Sequence, residues 1–197
     1  MRQDRKKIGK RAIGLTPALF TMLFSQSASA ADLLYPDKVF TATYSLEGGS
    51  GSTMQTLSDG QGKVVTKANM TGDIYRTIFD YKNKTAVTVL DFNKMAMQKA
   101  MTREPEMARN AAALKAAGMK DLGAREIAGH ACHGYQHEEK GGREIIWLDD
   151  NLDCIVQCEA ATVQPPLRVR FTLKSYEKTG PTEKDLAIPE GYKLIKE

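Results

Sequence analysis

The stretch that decides the fold is Leu122–Thr162, which reads LGAREIAGHACHGYQHEEKGGREIIWLDDNLDCIVQCEAAT. It contains all three histidines, all three cysteines and the only tryptophan of the 197-residue chain. Compact turns at Lys140–Gly142 and Asp149–Asn151 separate its apolar and β-branched runs, a pattern typical of consecutive antiparallel strands. Two interpretations compete for this stretch: the centre of a β-sheet that binds an apolar ligand, or a soft-metal or thiol site laid over that sheet.

The same rhythm of short strands and turns extends over most of the chain. In Lys38–Leu46, for example, Phe40, Ala42, Tyr44 and Leu46 alternate with smaller or polar residues, as expected of a half-buried strand. Further strands are predicted over 52–58, 63–70, 74–81, 85–92, 95–102, 124–128, 131–139, 143–148, 152–162 and 167–178. Turns every 8–12 residues predict a mainly β protein with an antiparallel sheet of about ten to eleven strands.

One segment breaks this rhythm and predicts the main helix. Arg103–Gly118 places Pro105 in the first turn, acidic residues near the N-terminal end and Gly118 where a helix commonly stops. Its apolar stripe is thin, so we expect this helix to dock on the sheet. A single helical turn is predicted over 183–186.

The first 30 residues have the organisation of a secretory signal peptide. Six basic residues precede an apolar run over 12–24, which is too short to span a bilayer, and Ala28-Ser-Ala30 forms a small-residue cleavage region. We therefore expect cleavage after Ala30, a single domain over 31–197, no transmembrane segment in the mature chain, and a periplasmic location.

Charge and motifs exclude several function classes. The signal region holds six of the 28 Lys+Arg and one of the 24 Asp+Glu, which leaves 22 basic and 23 acidic residues in the mature chain. With a formal charge of −1, the mature chain lacks the excess of positive charge that binds the phosphate backbone of nucleic acids. Phosphate-loop and nucleophile-elbow signatures are absent, and no cofactor is predicted. The sequence indicates a non-enzymatic protein.

Three short motifs resemble a known family. Leu122–Tyr135, Trp147–Asp150 and the ending Asp185–Tyr192, with Leu186 in place of an expected phenylalanine, resemble an uncharacterised family of exported bacterial proteins. That family is similar in pattern to the periplasmic lipoprotein-sorting carriers. The resemblance implies a strongly curved, unclosed half-barrel with a helix across its mouth and a cavity for acyl chains.

The leading hypothesis is therefore a non-catalytic periplasmic carrier that shelters an apolar small molecule or a lipoprotein acyl chain. This hypothesis also allows for a transient partner in the envelope. Alternate apolar side chains on the strands would fill or line its interior. The candidate lining residues are Phe40, Tyr44, Ile74, Phe79, Val87, Val89, Met97, Met101, Ile145 and Trp147. The ordinary alternative is that these residues simply form the core.

The second hypothesis is a periplasmic copper, zinc or thiol-redox protein. Cys132, His133, His137 and Met95 are its candidate ligands, because thiolate, imidazole and thioether groups bind these soft and borderline metals. No C-x-x-C motif is present. A structural envelope protein with a filled core and no ligand is the third alternative.

The cysteines also predict a disulfide, because exported chains usually oxidise their thiols. Cys154 and Cys158 would lie about 13 Å apart along one strand, too far to bridge. The expected bridge therefore joins Cys132 to Cys154 or to Cys158.

Overall fold

The computed structural model describes residues 34–47, 52–70, 73–102, 109–149, 151–164 and 166–197. The predicted signal peptide with its cleavage site, the turn at 48–51 and the predicted helix start at 103–108 lie outside these residues. No helix among the described segments is both long and apolar enough to cross a membrane.

The described chain folds into one open, curved sheet of twelve strands with two short helices. Strands β1–β12 span Val39–Glu47, Thr53–Asp59, Lys63–Met70, Asp73–Asp80, Thr85–Leu90, Met95–Ala100, Lys120–Ile127, His130–Glu139, Gly142–Asp149, Cys154–Thr162, Leu167–Glu177 and Lys193–Lys196. Helices α1 and α2 span Ala111–Ala116 and Glu183–Leu186. The predicted mainly β, unclosed architecture is confirmed.

Two meanders build this sheet. Strands β1–β6 pair in sequence order, β7–β11 pair in sequence order, and β1 joins the two halves by pairing antiparallel with β11. The sheet ends at β7 on one side and at β12 on the other. The count exceeds the predicted ten to eleven because Lys193–Lys196 adds an edge strand, which runs parallel to β6.

The sheet has two distinct faces, which the register defines. We call the face that carries Phe40, Tyr44 and Tyr135 the inner face. Successive register partners continue this face from β1 to β8; they are Leu46, Phe171, Cys158, Ile146 and Tyr135. The opposite face is the outer face. Successive side chains of a strand alternate between the two.

Helix α1 packs on the main core, which contains Leu114 together with Phe40 and Tyr44. The Asn110 side chain caps the helix by accepting a hydrogen bond from Ala113 N. Gly118, at φ +69°, ends it, because glycine adopts this left-handed conformation without steric cost. The predicted stop at Gly118 is confirmed, but the described helix begins at Ala111.

A second, smaller core forms on the outer face. There Leu57, Val65, Ile78 and Val89 are covered by Leu186 and Tyr192 of the C-terminal segment. Lys67 forms a 2.7 Å ion pair with Asp185, and the Arg76 guanidinium donates to the backbone carbonyls of Lys184, Asp185 and Ala187. The C-terminal segment is therefore fastened across the back of β3–β5.

Candidate functional site

The inner face of β2–β6 carries a row of threonines. Thr56, Thr66, Thr77 and Thr88 are successive register partners on β2, β3, β4 and β5, and Met97 of β6 follows Thr88. Strands lie about 4.8 Å apart, so the four threonines extend over about 14 Å across the sheet. We call this set the threonine row.

Largely apolar rows flank the threonine row on both sides. On one side lie Met54, Ala68, Tyr75, Leu90 and Met95, and on the other Ser58, Val64, Phe79, Ala86 and Lys99. Ala68, Tyr75, Met95 and Met97 are only half-buried. This part of the inner face is therefore an accessible apolar surface with a hydroxyl stripe along its middle, which we call the groove.

The two ends of the threonine row differ in burial. Thr66, Thr77 and Thr88 are half-buried, whereas Thr56 is completely buried. The hydroxyls of Thr77 and Thr88 lie 3.2 Å apart and share a hydrogen bond. The Thr56 hydroxyl has no hydrogen-bond partner among the described residues. The row thus runs from an accessible end beside Met97 to a closed end with an unsatisfied polar atom.

A buried ion pair holds the α1 segment over the other half of the inner face. Arg109 Nη1 donates to Glu144 Oε2 at 3.0 Å, and the two side chains are 11% and 4% exposed. One residue later, Asn110 Nδ2 donates to the carbonyl of Tyr35 at 3.1 Å. We call the Arg109–Glu144 pair the latch, because it attaches the residues before α1 to the inner face of β9.

The predicted cavity residues separate into several environments. Phe40 and Tyr44 lie in the main core, with Ile145 packed against it, while Phe79 and Met101 belong to a small cluster around Val64 and Tyr81. Met97 lies at the accessible end of the groove. Ile74 belongs to β4, but its side chain lies outside the described residues.

Four of the predicted lining residues lie on the outer face instead: Val87, Val89, Ile145 and Trp147. Val87 and Val89 alternate with Ala86 and Thr88, and they contribute to the core beneath the C-terminal segment. Trp147 alternates with Ile146 and Leu148, and the Arg125 guanidinium lies 5.6 Å from the centre of its ring. The predicted residues are therefore divided between the two faces of the sheet and do not share one surface.

The predicted disulfide does not form, and all three cysteines are buried thiols. Cys132 of β8 and Cys154 of β10 are both register partners of Asp149 on the strand between them. Two strand spacings place their Cα atoms about 10 Å apart, beyond the roughly 7 Å that a disulfide spans. Burial raises the pKa of Cys154 to about 12, and the Tyr44 hydroxyl lies 3.3 Å from its sulfur. This thiol is therefore unreactive at neutral pH.

The histidines are paired with carboxylates rather than gathered around a common point. His130 lies 2.9 Å from Asp149, His133 2.7 Å from Asp121 and His137 2.8 Å from Glu139. Met95 belongs to β6, near the opposite end of the sheet from β8. Within the segments that the structure describes, no three His, Cys, Asp or Glu residues are grouped as metal ligands would be.

A separate surface pocket of about 250 Å³ lies at the β8–β9 turn. Its lining includes Glu138, Glu139 and Arg143, and it contains none of the predicted site residues. This pocket is charged and open, so it differs in character from the groove.

The threonine row and the latch were not anticipated from the sequence. The row did leave a signal, because threonine recurs at intervals of 10, 11 and 11 residues in four successive predicted strands. The latch left none, since Arg109 and Glu144 are 35 residues apart.

Comparison with known proteins identifies the fold. No family model and no curated protein sequence matches the chain. An uncharacterized conserved protein from Thermus thermophilus is similar in structure, with a TM-score of 0.57, 10% identity, and coverage of 82% of this chain and 91% of that one. PNGF-II matches with a TM-score of 0.53 and 10% identity over 81% of this chain and 32% of its own.

A domain described as that of an outer membrane lipoprotein-sorting protein from Vibrio parahaemolyticus also matches. Its TM-score is 0.37 and its identity 9%, over 76% of this chain and 89% of that domain. At 10% identity, the two matches with TM-scores above 0.5 describe the fold and leave the ligand open.

Proposed function

We propose that this protein is a periplasmic binding or carrier protein that shelters an acyl chain or another apolar ligand in the groove, without catalysis. The observation that carries this proposal is the half-buried apolar surface of Ala68, Tyr75, Met95 and Met97 on the inner face of an unclosed sheet. Methionine and aromatic side chains adapt to flexible apolar ligands.

Energetics favour occupation of such a surface. Full burial of a large apolar side chain contributes about 1.5–3 kcal/mol relative to full exposure. These side chains are already mostly buried, so a ligand that covers the remainder adds up to about 1 kcal/mol for each large one. Several such side chains lie next to one another on β3–β6. An acyl chain along the groove would cover them together, which supports binding rather than a purely structural role.

The arrangement of the remaining titratable groups supports a non-catalytic role. The histidines pair with carboxylates on β7–β9, away from the groove on β2–β6. The Cys154 thiol is buried against the Tyr44 hydroxyl. The metal and thiol-redox hypothesis gains no specific support from this geometry.

The test is native mass spectrometry of the protein purified from the periplasm, before and after acid denaturation. Lipid mass that is released on denaturation supports the proposal and identifies the ligand class. A stoichiometric metal mass, or the bare chain after purification and incubation with lipid extract, contradicts it. A mass that begins at Ala31 checks the predicted signal cleavage separately.

A matched pair of variants locates the ligand. Met97→Asp places a charge at the accessible end of the groove, and we expect ligand retention to fall at least tenfold, since burying an unpaired charge is costly. Gln98→Asp is the control, because it places the same charge on the adjacent residue of β6, which faces the other side of the sheet. Equal retention by the two variants would show that the ligand lies elsewhere.

A further inference from the structure

We infer that the closed end of the threonine row is a recognition site for an uncharged acyl carbonyl, with Thr56 as the hydrogen-bond donor and the hydrocarbon chain lying toward Met97. This inference rests on the proposed function and specifies its ligand class: a single-chain acyl compound with a terminal uncharged carbonyl, such as a protonated fatty acid or a short fatty ester.

The first step of the argument is the state of the Thr56 hydroxyl. The side chain is completely buried, and its Oγ1 has no hydrogen-bond partner among the residues that the structure describes. Buried polar groups are nearly always hydrogen-bonded, because an unsatisfied hydroxyl loses its water without replacement. Valine has nearly the same shape and would avoid this penalty. Among the described residues nothing satisfies this hydroxyl, and a ligand acceptor atom would supply the missing partner.

The second step is the polarity of the row. Thr77 and Thr88 satisfy each other through their 3.2 Å contact, so this middle section of the row needs no polar ligand atom. Met97 continues the row on β6, with Met95 beside it in the flanking row. The site therefore has an unsatisfied polar end and an apolar end, and a molecule with one polar terminus and one hydrocarbon chain matches both.

The third step is the charge of the polar end. Its neighbours on the inner face are Ala42 and Thr66 across the strands and Met54 and Ser58 along β2, all of them uncharged. None of these four sheet neighbours supplies a cation that would compensate a buried carboxylate. A neutral carbonyl needs only the hydroxyl donor that Thr56 supplies.

The experiment uses two neutral probes of similar length, methyl dodecanoate and tetradecane, of which only the first has a hydrogen-bond acceptor. Each displaces anilinonaphthalene sulfonate from the full mature protein, and the ratio of the ester's affinity to the alkane's is the preference for the ester. We expect Thr56→Val to lower this preference about tenfold, the effect of one buried hydrogen bond. The same substitution should raise the melting temperature of the unliganded protein.

Two further variants serve as controls. Thr56→Ser keeps the hydroxyl and should keep the preference for the ester. Thr43→Val removes a hydroxyl from the outer face of the neighbouring strand, where Thr43 pairs with Gln55, and it should also keep the preference. Dodecanoic acid adds a test of charge: its affinity should fall as the pH rises through its own ionisation, whereas that of the ester should not.

The outcomes separate the two proposals. If Thr56→Val keeps the preference for the ester over the alkane, the carbonyl site is wrong while apolar binding stands. If neither probe displaces the dye, the proposed function fails and the carbonyl site fails with it.

Discussion

The guanidinium of Arg109 lies 3.0 Å from the carboxylate of Glu144, and almost all of both side chains is buried. The two residues connect the segment before α1 to the inner face of β9, and Asn110 adds a bond to the Tyr35 carbonyl. The latch therefore couples the position of α1 to the sheet.

Breaking the latch on one side should destabilise the protein strongly. Glu144→Ala leaves the Arg109 charge buried without its carboxylate, which we expect to lower the free energy of unfolding by about 3–5 kcal/mol. Replacing both residues, as in Arg109→Met with Glu144→Leu, should cost far less, because neither charge remains. Urea denaturation of Glu144→Ala and of the double variant measures this difference. Equal losses in the single and double variants would contradict a direct coupling.

Gly134 should not accept a side chain, because Trp147 occupies the space above it. A Cβ at this position would lie 2.6 Å from the indole ring. We expect Gly134→Ala to displace the ring and lower the free energy of unfolding by about 1–3 kcal/mol. Trp147 is the only tryptophan, so its fluorescence reports the displacement directly. Gly141→Ala is the matched control, since a Cβ there meets no described atom within 4 Å; an unchanged emission spectrum in Gly134→Ala would refute the assignment.

Acid should weaken the β9–β10 turn through Asp149. Burial acts to raise the pKa of Asp149, but hydrogen bonds from His130 and from the backbone N–H groups of Asn151 and Leu152 outweigh it and lower the pKa below its usual value. The stabilisation is therefore complete above the unfolded pKa of about 3.9 and is lost as the pH falls through the folded value.

Asp149→Asn is the test of this linkage, since it removes the charge and keeps the shape. The difference in stability between wild type and variant should be constant near neutral pH and shrink below about pH 4. Urea denaturation at several pH values measures it. A difference that grows on acidification would reverse the sign and exclude this role.

The cysteines should behave as protected thiols in the native state. Burial raises the pKa of Cys154 to about 12, so its thiolate fraction at pH 8 is very small. All three cysteines are buried, and we expect slow alkylation of the native protein and modification of three thiols after unfolding in urea. Intact mass provides the count. A mass two hydrogens short, with one reactive thiol, would instead establish the bridge that the sequence suggested.

Local sequence patterns predicted the strands and α2 well, because each is specified within its own segment. Lys63–Met70 and Glu183–Leu186 begin and end where predicted. Strand β12 was missed, since four residues forming a parallel edge leave no hairpin signal. The choice of inner or outer face also failed at Val87 and Val89, because it depends on register across the whole sheet.

Long-range register also explains why the site was only partly predicted. Met97 was expected to contact ligand and lies in the groove, but its relation to Thr56 arises from pairing across five strands. The cysteine geometry depends on which residue of β9 stands between Cys132 and Cys154. A bulge after Ile155 also shifts the register between β9 and β10, and no local sequence motif predicts this bulge.

The parallel strand β12 has a consequence for self-association. Without it, β6 would present Met95–Ala100 as an open strand edge with unpaired backbone groups, the kind of template on which chains aggregate. Strand β12 covers this edge with four residues, Lys193-Leu-Ile-Lys196, whose lysines place positive charge at the new border. Strand β12 therefore protects β6 from pairing with another chain, and proteolytic removal of Lys193–Lys196 would expose a strand edge on which cross-β assembly can begin.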